Sequence, residues 1–154
     1  MSAKTLEEQY QQIIEKITAA SGCEKHIRIP EGPVVFAGTA ESPELALFIA
    51  PQEGGGIYYG ITVGGEDSSF ETADFPTPED CEAAVCEFIA AFVNRKVKFT
   101  RIQKRFSYIY ESYQVYDEST EQWNTVTENY LDRFILKCFL WKNFSEEWEK
   151  TFTI

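Results

Sequence analysis

The stretch from Thr77 to Asn94, TPEDCEAAVCEFIAAFVN, constrains the fold more than any other part of this chain. Thr77 can cap a helix, and Pro78 suits its first position. Glu79, Asp80 and Glu82 fall in the first turn, where the helix dipole favours acids. Cys81, Ala84, Val85, Phe88, Ile89, Phe92 and Val93 then recur at helical spacing and make a wide apolar face that must be covered. Burying Phe88 alone is worth roughly 1.5–3 kcal/mol. A helix over about 78–93, stopped near Asn94 and lying flat on a sheet, is expected.

A second amphipathic helix is expected over about 5–21. Thr5-Leu6-Glu7-Glu8 fits a capping box, in which hydroxyl and carboxylate each take an orphan amide. Leu6, Tyr10, Ile13, Ile14 and Ile17 form one stripe, and Gly22 offers a left-handed stop. Between the helices, Val34–Gly38, Leu45–Ala50, Ile57–Val63 and Ser69–Ala73 read as short strands punctuated by Pro33, Pro43, Pro51 and glycine groups. Neither glycine group suits a phosphate. Gly54-Gly55-Gly56 runs into strand-like Ile57-Tyr58-Tyr59, and Gly64-Gly65 meets Glu66 and Asp67, with no Lys or Arg nearby. Positive φ in hairpin turns accounts for both.

After Lys96 the excess of Tyr, Ile and Val favours strands. Asp117–Glu121 reads as the polar tip of a hairpin that resumes at Trp123 to Val126. Phe106, Ile109, Tyr110 and Tyr113 would also fit a helix. Phe134–Trp141 reads as a strand, with a helix capped by Thr125-x-x-Glu128 as the rival. Trp148 to Ile154 alternates like an edge strand. The order helix, sheet, helix, sheet predicts one α+β domain over residues 1–154. It would have a largely antiparallel sheet and a β-rich C-terminal half.

Charge is arranged in blocks. Residues 1–28 are neutral. Between Arg28 and Arg95 there is no Lys or Arg, while twelve carboxylates run from Glu31 to Glu87. Residues 95–105 then carry six cations (Arg95, Lys96, Lys98, Arg101, Lys104, Arg105) and no acid. A field like that of the middle block raises association rates of cationic partners roughly 10- to 1000-fold and argues against nucleic acid as a ligand. Solubility alone would also use such a face. The basic strip can neutralise the acidic block, guard a strand edge or contact phosphates.

Motifs for catalysis are absent: no GxSxG, HExxH, Walker-type or GxGxxG pattern occurs, and neighbouring acids such as Glu79-Asp80 point apart. The one histidine, His26, and the scattered Cys23, Cys81, Cys86 and Cys138 lack metal-ligand spacing, so no metal or cofactor is expected. The cysteines read as small buried hydrophobes. No signal peptide is visible, and uninterrupted apolar runs such as Phe88–Val93 are far shorter than a membrane span, so a cytoplasmic protein without membrane contact is expected.

The expected function is therefore that of a small acidic binding protein, inhibitor-like or immunity-like, engaging a basic protein partner. Glu66, Asp67, Glu71, Asp74, Glu79, Asp80 and Glu82 would steer that partner. Tyr108, Tyr110 and Trp123 would lock it, drawn from fourteen aromatics between Phe99 and Phe152. Two alternatives stand beside this: a self-associating accessory protein forming a homo-oligomer, and an enzyme or small-ligand binder whose site is assembled from distant residues.

Overall fold

The computed structural model describes residues 4–22, 24–93, 95–104, 107–130 and 146–153. The fold is α+β, with two helices and two antiparallel sheets. The chain divides into two compact units, residues 1–94 and 95–153, and the boundary falls where the charge changes sign.

In the first unit, α1 spans Leu6–Ser21 and α2 spans Pro78–Phe92. Both begin as their sequences predict. The Thr5 hydroxyl accepts the Glu8 amide at 3.2 Å, and the Glu8 carboxylate accepts the Thr5 amide at 2.7 Å. Thr77 accepts the Asp80 amide at 3.1 Å. Gly22 ends α1 in the left-handed region, its amide donating to the Thr18 carbonyl at 2.8 Å.

Five strands lie in chain order: β1 (Ile27–Arg28), β2 (Val34–Gly38), β3 (Pro43–Pro51), β4 (Ile57–Val63) and β5 (Glu66–Glu71). Pairing of β3 starts at Pro43, opposite Gly38, two residues before the apolar run does. β5 starts at Glu66 rather than Ser69. Gly64 and Gly65, at φ 59° and 87°, make a two-residue turn that only glycine adopts cheaply at both positions, so the ladder resumes at once. Residues 72–73, expected at the end of that strand, belong instead to a short 3-10 turn, Thr72–Asp74.

Side chains alternate across this sheet. Leu45, Leu47, Ile49, Tyr59, Ile61 and Val63 share one face and are buried. The helices cover that face. The Phe70 ring meets Phe88 edge-on at 5.4 Å, and Phe88 meets Phe92 at 4.9 Å. Tyr10 of α1 is buried, and its hydroxyl accepts the Ile49 amide at 2.7 Å. The Arg28 guanidinium stacks on the Tyr10 ring at 3.9 Å and donates to Glu7 and to the Gly32 carbonyl, both at 2.6 Å. One arginine thus ties β1 and its turn to α1.

The second unit holds β6 (Lys96–Lys104), β7 (Ser107–Asp117), β8 (Gln122–Tyr130) and β9 (Glu146–Thr153), in the order β8-β7-β6-β9. The β structure is thus divided between two sheets, not gathered in one; the described strands of residues 27–71 and 96–153 pair only within their own sheets. β7 and β8 are the predicted hairpin. At its polar tip the Asp117 carboxylate accepts the Ser119 amide at 2.9 Å and hydroxyl at 2.6 Å. These bonds hold the Asp117 carboxyl below the usual carboxylate range. The helical reading is overturned over residues 107–113, as is the cap at Thr125, because β7 pairs along its length with β6 and β8; Phe106 lies outside the described residues. β9 pairs with β6 at the sheet edge, as the alternating tail predicts. Phe134–Trp141, Cys23, Asn94 and Cys138 lie outside the described residues.

Val97, Phe99, Tyr113 and Val115 share one buried face of this second sheet, together with the Arg101–Glu111 ion pair at 2.8 Å. The opposite face carries Lys96, Lys98, Tyr116 and Trp123.

Candidate binding face

The acids singled out from the sequence all belong to the first unit, on β5, the 3-10 turn after it and the start of α2. Strand alternation divides them. Glu66 falls on the helix-covered face of the sheet, whereas Asp67 and Glu71 fall on the opposite face. Asp74, Glu79 and Asp80 are exposed. Glu82 is half-buried and occupied. The Lys16 ammonium lies 2.6 Å from its carboxylate, and the Gln12 amide donates to the same oxygen at 3.3 Å. The Glu82 hydrogen bond raises the Lys16 pKa.

The expected aromatics belong to the second unit. Tyr110 and Trp123 share a face of its sheet, and the Tyr110 hydroxyl donates to Glu128 at 3.1 Å. Trp123 packs against Tyr116 at 5.3 Å, with the Lys98 ammonium 4.2 Å from its ring centre and that of Lys96 at 5.8 Å. Two cations of the basic strip are therefore engaged by aromatic faces of their own sheet, and Arg101 by Glu111. Tyr108 is placed on β7 opposite Gln103; its side chain lies outside the described residues.

Reading the sequence missed a concave surface beside Asp67. On the sheet face opposite the helices, Ile27, Val35, Ala46, Thr62 and Asp67 stand in one cross-strand row. Phe48, Gly60 and Ser69 form the next row, and Ala50, Tyr58 and Glu71 the third. A groove of about 320 Å³ opens there, lined by Pro33, Pro43, Phe48, Tyr58, Thr62 and Asp67 among others. Its floor depends on Gly60. A Cβ at that position would lie 3.1 Å from the Tyr58 ring, which leans across the bare backbone. Phe48 and Ile27, the two large apolar residues left exposed among those described, are 44% and 45% accessible, and both are on this face. The legible signal was in β3: Leu45 to Ala50 is apolar at six successive positions, so both faces of the strand are apolar while helices cover only one.

Along the rim, the Thr62 hydroxyl donates to one oxygen of Asp67 at 3.0 Å. Among the described residues, neither Asp67 nor Glu71 has a cationic partner. Deeper groups are chemically quiet. Burial pushes the Cys86 thiol up to about 11 and raises Cys81, and burial also drives the Tyr59 hydroxyl well above its ordinary range. In each case burial favours the protonated, less nucleophilic form. Among the described residues no group of three His, Cys, Asp or Glu side chains could hold a metal ion, and no described helix is long and apolar enough to cross a membrane. No family model, curated protein or solved structure matches this chain.

Proposed function

We propose that this is a non-enzymatic cytoplasmic binding protein whose carboxylate-rich first unit engages a basic protein partner, in the manner of an inhibitor or immunity protein. One observation carries the reading. Residues 29–94 hold twelve carboxylates and no Lys or Arg, and Asp67, Asp74, Glu79 and Asp80 remain exposed to solvent. Unneutralised charge of one sign gathers oppositely charged partners before contact and speeds docking. Nucleic acid is disfavoured by the same field.

The test is capture of partners from the native host on the immobilised protein at low and high salt, followed by kinetics with the captured protein. The triple variant D74K/E79K/D80K should slow association about tenfold or more at low ionic strength, and the difference should shrink as the screening length falls to about 10 Å near 0.1 M salt. An unchanged association rate at low salt refutes electrostatic steering.

A further inference from the structure

We propose that the groove opposite the helices is the seat of an extended basic segment of that partner. An arginine or lysine of the segment would lay its alkyl stem along Phe48 and Tyr58 and place its cationic head at Asp67. This rests on the function proposed above and gives it a location.

Three observations point to that occupant. First, the groove is amphipathic in a definite order. Apolar Pro33, Pro43, Phe48 and Tyr58 line its body, and the carboxylates Asp67 and Glu71 stand on β5 at one border. A long cationic side chain has the same order, an apolar stem ending in a charge, and it buries the stem while the head meets an acid. Second, the acid is available. Thr62 holds one oxygen of Asp67 in place, and among the described residues no cation has claimed the other. Third, the stretch that builds the groove, residues 33–68, contains no Lys or Arg. The exposed Phe48 ring and the Tyr58 ring also offer aromatic faces, on which a guanidinium stacks favourably. An anionic or nucleotide ligand would meet Asp67 and Glu71 with no compensating charge.

The probe is a fluorescein-labelled decapeptide of alternating arginine and valine, compared with a glutamate–valine peptide, an arginine–glycine–serine peptide and free arginine amide. Binding is followed by anisotropy at low and moderate salt, and backbone amide shifts map the contact. The arginine–valine peptide should bind best and shift amides of residues 46–48 and 58–69. Phe48→Ser and Asp67→Asn should each weaken it about tenfold, the scale of a lost charge-assisted contact. Gly60→Ala, which pushes a methyl against the Tyr58 ring, should weaken it as well. Circular dichroism melts confirm that each variant is folded.

Equal affinity for the arginine–glycine–serine peptide, with Phe48→Ser silent and shifts confined to residues 74–82, overturns the groove while leaving the charge-driven function standing. Free arginine amide binding as tightly as the peptide also overturns it, in favour of a small-amine site. Absence of peptide binding at low salt removes the groove inference, and the charge-reversal kinetics then decide the broader function separately.

Discussion

Replacing Tyr10 with Phe removes a single oxygen from the first unit. Tyr10 is 1% exposed, and its hydroxyl accepts the Ile49 amide at 2.7 Å. The pairing of β2 with β3 reaches only as far as Val34 opposite Leu47, so Ile49 lies past the end of β2 and its amide turns to the helix for a partner. Phe keeps the ring, its packing and the Arg28 guanidinium 3.9 Å above it. The change therefore isolates one hydrogen bond, and it leaves a buried amide without an acceptor. That desolvation penalty is about 1–3 kcal/mol, against a total stability of about 5–15 kcal/mol for a domain of this size. At about 2 kcal/mol the midpoint of thermal unfolding should fall by roughly 4–8 °C. Far-UV circular dichroism is the right signal, because both described helices lie in the first unit, whereas all three tryptophans lie after residue 95. Urea unfolding followed at 222 nm should show a lower midpoint with unchanged slope, and the Ile49 amide should lose hydrogen-exchange protection. An unaltered midpoint together with unaltered protection of Ile49 would refute the reasoning.

Other perturbations read neighbouring parts of the same frame. Thr77→Ala should cost about 1 kcal/mol in urea unfolding, the usual value of an N-cap hydroxyl, and Thr77→Asp should recover it. Stability should decline in alkali. The Cys86 thiol rises from its ordinary 9.0 to about 11 on folding, so its contribution is complete below pH 9 and is lost as pH climbs to 11. By linkage that amounts to about 2–3 kcal/mol, and Cys86→Ala should flatten this part of the pH–stability curve. Gly65→Val, at φ 87°, should destabilise the β4–β5 hairpin by at least about 1 kcal/mol, whereas Gly65→Asn should be tolerated better; thermal melts of the pair decide it.

Much of the architecture was legible because local chemistry and global packing agree in it. The Thr5 and Thr77 caps, the Gly22 stop and the boundaries of β2 and β4 follow from the sequence, since each rests on a short-range rule that the tertiary structure leaves intact. The division into two sheets was not legible, because pairing between distant strands leaves no local mark. The acids stand out in the sequence, but the faces on which the fold sets them do not. A charge run such as Glu66-Asp67 says nothing of alternation until the Gly64-Gly65 turn fixes the register of β5. The groove was missed for a similar reason. Phe48 looks like any core residue of β3, and only the placement of both helices on the other face leaves it in solvent.

β5 is the outer strand of its sheet among the described residues, and an outer strand is a template onto which another chain can hydrogen-bond. Here that template carries Glu66, Asp67 and Glu71 within six residues. A second copy docking edge to edge would bring carboxylates against carboxylates, which opposes that pairing, whereas a cationic strand would meet opposite charge.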